Sequence, residues 1–220
     1  MQANALISSS IKSIHPVEDG NTALKMMDQF RIHHLAIVKN NFYLGIISDK
    51  EIMNWSSEDE SIEEHLNHLA APHIKYNQHL FDIIEVLEKN NLSVVPVLDE
   101  NNHYLGVITS RKLMYSIAKS AAIQSPGGVI VLEMNNNDYS LTEIANIVES
   151  NNTKILSSYI ISKPNSTKIE VTIKLNKQDV KTIIKDFERR EYTISASYKD
   201  EETNTDYLER YESLMRFLNP

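Results

Sequence analysis

The first half of the chain repeats one order of hydrophobic and polar segments. Apolar residues at helical spacing over 23–27 are followed by an apolar run at 35–38, a polar turn and a second apolar run that ends at Ser48. The same order returns over 80–109 and ends at Thr109. Such spacing predicts amphipathic helices, and short β-branched runs predict buried strands. We therefore expect two copies of one helix–strand–turn–strand–helix unit, with a hydroxyl capping each last helix.

The second half of the chain has a different pattern. After a Pro-Gly break at 125–128, the alternation of apolar and polar positions predicts strand, helix, strand, strand, helix and strand. The predicted bounds are 129–134, 141–148, 154–162, 168–175, 180–187 and 192–198. This β-α-β-β-α-β order is that of the ferredoxin-like unit. Apolar residues at helical spacing between 207 and 218 predict an amphipathic C-terminal helix over 201–220.

The duplicated order of elements over about residues 8–122 resembles the CBS family, whose modules occur in tandem and pack as pseudo-symmetric pairs. The unit that follows resembles an ACT domain, and the whole arrangement is similar to CBS–CBS–ACT proteins of the acetoin-utilisation protein B type. The predicted fold class is α+β. The predicted domains are a CBS pair over 1–122 (modules at about 8–56 and 70–122), an ACT-like domain over 126–200 and a helix over 201–220.

The CBS resemblance implies a cleft for an adenosine nucleotide such as AMP, ADP or ATP. In that family a Ser or Thr at a strand end, and an Asp three residues later, contact the ribose and phosphate. Here Ser48 is followed by Glu51 and Thr109 by Lys112, so only the first position keeps a carboxylate. The candidate ligand-binding residues are His33, His34, Ser48, Asp49, Glu51, Val94, Pro96, Thr109, Arg111 and Lys112. In the alternative interpretation the hydroxyls only cap helices.

The ACT resemblance implies an effector loop after the first strand of that domain, usually Asp-x-x-Gly-x-Leu. The candidate effector residues are Asn137, Asp138, Tyr139 and Ser140. Leu141 matches the pattern, but Tyr139 stands where glycine would let the backbone approach a ligand. A dimerisation module that binds no ligand is the alternative.

The composition of the chain narrows the classes of partner, chemistry and location that remain. The 30 acidic and 22 basic side chains give a net charge of -8, which disfavours a nucleic-acid partner. The lack of cysteine excludes disulfides and thiolate chemistry. His33 and His34 alternate on a strand, and His65 and His68 lack a predictable third ligand, so no metal site is predicted. With no apolar stretch long enough for a bilayer and no signal-like N-terminus, we expect a cytoplasmic protein without a membrane partner.

The recognised catalytic motifs, such as a P-loop or a nucleophile elbow, do not occur in the sequence. We therefore predict a non-catalytic regulatory protein without a resident cofactor. It would be a homodimer that senses an adenosine nucleotide and acts on a regulated protein that the sequence does not identify. The main rival is a ligand-free scaffold that docks on an enzyme or transporter. An enzyme with paired carboxylates or a His–carboxylate couple in an unrecognised pocket is a second rival.

Overall fold

The computed structural model describes residues 1–8, 10–120 and 122–198. It divides into two compact units, Met1–Ile117 and the part that begins at Ala118. The structure is of the α+β class, as predicted. The predicted helix over 201–220 and the last two residues of the predicted ACT-like domain lie outside the described residues.

The first unit contains two repeats of the predicted element order. The first repeat consists of α1 (Gly20–Phe30), β1 (His34–Lys39), β2 (Phe42–Ser48) and α2 (Asp49–Met53). The second repeat consists of β3 (Ile74–Lys75), α3 (Leu80–Lys89), β4 (Val94–Leu98), β5 (Tyr104–Thr109) and α4 (Ser110–Ser120). Two 3₁₀ helices, Ala3–Leu6 and Ile62–His68, precede the repeats.

The backbone pairing of the two repeats is equivalent. In each, two strands form an antiparallel hairpin, β1–β2 and β4–β5, and both hairpins carry a bulge at corresponding places. A parallel neighbour completes each hairpin, through an Ile14–Ile37 bridge in the first repeat and the β3–β4 pairing of Ile74 with Val97 in the second. The duplication in the sequence is therefore a duplication of strand register.

The segment that precedes each repeat along the chain packs into the core of the other repeat. Ala3 and Leu6 are buried in the core of the second repeat, where the N–H of Ala3 donates to the carbonyl of Gln78 at 3.0 Å. Ile62, from the connection between the repeats, is buried in the core of the first. Val94 also lies in the first repeat's core, so the two repeats share apolar side chains.

The second unit has the predicted order of strands and helices. Its elements are β6 (Val129–Asn135), α5 (Leu141–Ser150), β7 (Ile155–Ser162), β8 (Lys168–Leu175), α6 (Lys181–Arg189) and β9 (Thr193–Tyr198). The strands form one antiparallel sheet in the order β7-β8-β6-β9. Alternate residues of β6 and β8, with apolar residues of α5 and α6, form its core. Gly127, at φ 153°, precedes β6 where a Cβ would clash with the Leu175 carbonyl oxygen, so no other residue fits.

Candidate ligand cleft between the repeats

An open cleft of about 490 Å³ lies between the two repeats of the first unit. The first repeat contributes four of the candidate ligand-binding residues. The complete lining is His33, His34, Ser48, Asp49, Lys50, Asn90, Asn91, Leu92, Ser93 and Ser110. The structure therefore brings candidates from one repeat against residues of the other that the sequence analysis did not select.

The additional lining residues follow from the pseudo-symmetry. The backbone N–H of Asp49 donates to the carbonyl of His33 at 3.1 Å, and that of Ser110 donates to the carbonyl of Ser93 at 3.0 Å. Ser93 is thus the counterpart of His33, and Ser110 the counterpart of Asp49. Aligning the repeats in the sequence would have pointed to both serines, whereas the CBS pattern selected their neighbours Val94 and Thr109 instead.

Asp49 is the carboxylate that faces the cleft. Its Oδ2 lies 2.6 Å from Nδ1 of His33, and its Oδ1 accepts the N–H of Lys50 at 2.7 Å. Partial burial favours the neutral acid, but the hydrogen bonds from His33 and the Lys50 backbone outweigh it and lower the pKa of Asp49. Asp49 is therefore ionised at neutral pH, and Nδ1 of His33 carries the shared proton.

His34 joins the two repeats. The N–H of Ser93 donates to His34 Nδ1 at 3.2 Å, and the Ser93 hydroxyl lies 3.1 Å from the same nitrogen. The N–H of His33 donates to the Ser93 hydroxyl oxygen at 2.9 Å. Burial lowers the pKa of His34, although the carboxylates of Asp49 and Glu51 oppose this shift. The neutral imidazole, protonated on Nε2, fits this arrangement.

The remaining candidates have structural contacts within the chain. Ser48 and Glu51 form a capping box at the start of α2, with the Ser48 hydroxyl donating to Glu51 Oε2 at 2.7 Å. Thr109 accepts the N–H of Lys112 at 3.0 Å, and Lys112 Nζ donates to the carbonyl of Ile7 at 2.7 Å. Six candidates lie outside the cleft lining: Glu51, Thr109 and Lys112, together with Val94 and Pro96, which are buried within β4, and Arg111, which is exposed on α4.

The candidate effector residues of the second unit separate into two pairs. Asn137 and Asp138 line a polar pocket of about 590 Å³, together with residues of the β7–β8 turn: Ser162, Ser166 and Thr167. Tyr139 instead packs against the core of this unit. Ser140 caps α5 by accepting the N–H of Glu143 at 3.3 Å.

Of the other histidines, His65 contacts a tryptophan and a glutamate. His65 stacks on Trp55 with ring centroids 3.9 Å apart, and its Nε2 lies 2.8 Å from Glu60 Oε2. Within residues 1–8, 10–120 and 122–198, no three histidine, aspartate or glutamate side chains are arranged to hold a metal ion. In the same residues, no helix is long and apolar enough to cross a membrane.

The family model described as "CBS domain" matches residues 3–58 and 70–119, which are the two repeats. These residues form a tandem CBS pair. The predicted pair is thus confirmed. Proteins with such a pair are generally regulatory and non-catalytic.

Among curated proteins, the chain is 27% identical over 117 residues to a homoserine O-acetyltransferase from Methanocorpusculum labreanum. The match covers 53% of this chain but only 24% of that relative's length. The chain therefore matches only about a quarter of the length of that curated relative.

The solved structures that are similar to the chain include three CBS proteins. A CBS domain pair/ACT domain protein from Thermotoga maritima has 11% identity and a TM-score of 0.48, covering 54% of this chain and 98% of that one. The CBS domains of a transcriptional regulator from Streptococcus pneumoniae have 14% identity and a TM-score of 0.46, covering 52% and 98%. CBSX2, solved in complex with AMP, has 13% identity and a TM-score of 0.44, covering 54% and 96%.

Proposed function

We propose that this chain is a non-catalytic regulatory protein whose CBS pair binds an adenosine nucleotide in the cleft between the repeats. The observation that carries the proposal is the cleft itself, in which His33, His34, Ser48 and Asp49 meet polar residues of the second repeat. Its volume of about 490 Å³ lies within the range of about 300–1,000 Å³ that is usual for small-molecule sites.

The lining offers complementary groups for a nucleotide. The ionised carboxylate of Asp49 can accept hydrogen bonds from ribose hydroxyls, the role that the sequence analysis gave to Glu51. Glu51 is instead occupied in the capping box of α2. Lys50 is exposed at the cleft, so its ammonium group suits a phosphate, whereas the Nδ1 proton of His33 is donated to Asp49.

Calorimetric titration and thermal shift with AMP, ADP, ATP, S-adenosylmethionine, NAD and the common amino acids test this assignment. A ligand at a hundredfold excess over its Kd should add about 2.7 kcal/mol of stability. Lys50→Ala should weaken a phosphate-bearing ligand by about tenfold, because a hydrogen bond to a charged group is lost. Lys25→Ala is the matched control, since Lys25 is exposed on α1 and outside the cleft.

Equal affinity in Lys50→Ala and Lys25→Ala would reject the phosphate position. No response to any compound of the panel would instead favour the second candidate, a ligand-free interaction protein. The observation that supports this alternative is that Ser48, Glu51, Thr109 and Lys112 all have hydrogen-bond partners within the chain. In that case the chain would exert its regulatory effect by binding another protein and not by sensing a nucleotide.

We further propose that the second unit is an ACT-like domain that joins two copies of the chain. Its β-α-β-β-α-β order and its strand order β7-β8-β6-β9 support a ferredoxin-like assignment. β7 is an edge strand without charged residues, and Tyr159, Ile160 and Ile161 on it are 57%, 45% and 47% exposed. Such an edge favours pairing with another chain.

We also propose a cytoplasmic location, which suits the absence of cysteine from the sequence.

A further inference from the structure

His34 and Ser93 are the side chains through which the two repeats are hydrogen-bonded at the floor of the cleft. His34 begins β1 of the first repeat, and Ser93 directly precedes β4 of the second. Nδ1 of His34 accepts the backbone N–H of Ser93 at 3.2 Å and lies 3.1 Å from its hydroxyl oxygen. Only a neutral imidazole can accept at Nδ1, because the imidazolium carries a proton on both ring nitrogens.

We propose that His34 and Ser93 form a proton-controlled latch across the two CBS repeats, closed when His34 is neutral and opened when it is protonated. Protonation places an N–H at Nδ1 against the N–H of Ser93, so that amide loses its acceptor. The Ser93 hydroxyl also loses Nδ1 as an acceptor, while its oxygen still accepts the His33 N–H at 2.9 Å. Its effect on ligand binding rests on the function proposed above, since both residues line the cleft.

The groups around His34 set the pH range in which the latch opens. Asp49 and Glu51 on α2 favour the protonated imidazole, whereas burial, His33 and Lys50 disfavour it. The second repeat contributes Asn90, Asn91, Leu92, Ser93 and Ser110 to the cleft, and none of them titrates near neutral pH. Burial is the largest of these effects and lowers the pKa of His34 from its ordinary value of 6.5. The stabilisation from the neutral form is therefore complete above that value and is lost as the pH falls below it.

Amide hydrogen exchange on the ligand-free protein tests the latch directly. We expect exchange at the Ser93 N–H, corrected for the intrinsic rate, to become about fivefold faster once the pH is lowered far enough below 6.5 to protonate His34, as one hydrogen bond of about 1 kcal/mol is lost. His34→Gln keeps an acceptor that does not titrate, so protection of Ser93 should become independent of pH. His68→Gln, which removes an exposed histidine outside the cleft, should behave like the wild type.

Two results would overturn the latch. One is Ser93 protection in the wild type that stays unchanged after the ring nitrogen chemical shifts show that His34 has become protonated. The other is a long-range nitrogen correlation spectrum that shows the neutral His34 ring protonated on Nδ1. Both measurements omit nucleotide, so a failure of the latch is distinguishable from a failure of nucleotide binding. If the latch and nucleotide binding are both confirmed, AMP titrations should show proton uptake by the wild type, because a bound phosphate favours the imidazolium. His34→Gln should then take up fewer protons.

Discussion

Two tyrosines at equivalent places in the repeats have different hydrogen-bonding partners. The hydroxyl of Tyr43 donates to the carbonyl of Pro72 at 3.0 Å. The hydroxyl of Tyr104 is buried and has no hydrogen-bond partner in the part of the chain that the structure describes. Burial raises the pKa of both phenols, so both remain neutral hydroxyls.

Substitution by phenylalanine should therefore have opposite effects at the two positions. Tyr43→Phe should cost about 1 kcal/mol of unfolding free energy, because a hydrogen bond is lost and the Pro72 carbonyl loses its donor. Tyr104→Phe should be neutral or stabilising by about 1 kcal/mol, because a buried hydroxyl without a partner is removed. Urea unfolding of the two variants measures the difference. An equal loss in both would show that Tyr104 has a partner in solution.

Site residues are harder to predict from the sequence than strands, because many of their contacts are with residues distant along the chain. Ser48 was correctly placed at a strand end, and its capping of α2 depends on a residue only three positions away. The position of Asp49 beside His33 depends instead on the register between β1 and β2. Ser93 enters the cleft only because the second repeat packs against the first. Local sequence patterns therefore predict a helix cap such as that of Ser48. They do not predict contacts such as those of Asp49 and Ser93, which depend on strand register and on the packing of the two repeats.

At the scale of elements, apolar periodicity predicted nearly every helix and strand. Boundaries differed where a polar cap extends a helix beyond its apolar stripe, as at α1. That helix begins at Gly20, before the predicted stripe at 23–27, because Asp19 accepts the N–H of Thr22 at 2.7 Å. Strand β7 was predicted at 154–162, but periodicity could not show that it lies at the edge of the sheet.

That edge carries a prediction about assembly. Ile160→Lys places a charge in the middle of β7, where it should prevent β7 from pairing with a second copy. Sedimentation velocity should show a dimer for the wild type and a monomer for the variant. Val17→Lys is the control, because Val17 is 62% exposed and lies in the CBS pair rather than on β7. A wild-type monomer, or a variant that still dimerises, would contradict the proposed interface.

At the scale of the CBS pair, the crossed packing of the connecting segments indicates one cooperative unit. Leu6 is 3% exposed and belongs to the core of the second repeat, although it precedes the first along the chain. Ile62 makes the reverse connection into the core of the first repeat. The repeats therefore stabilise one another, and neither has a complete core by itself.

The only tryptophan of the sequence, Trp55, packs against the core of the first repeat and can report on this coupling. Leu6→Ala removes buried apolar volume from the second repeat and should cost about 2–5 kcal/mol. If the pair unfolds as one unit, the midpoint measured by Trp55 fluorescence in urea should fall by the amount that this loss requires. Leu44→Ala, at a position that is 37% exposed, should change it by less than about 0.5 kcal/mol. An unchanged Trp55 midpoint in Leu6→Ala would mean that the repeats unfold separately, and the latch between them would then have to act without cooperative support from their cores.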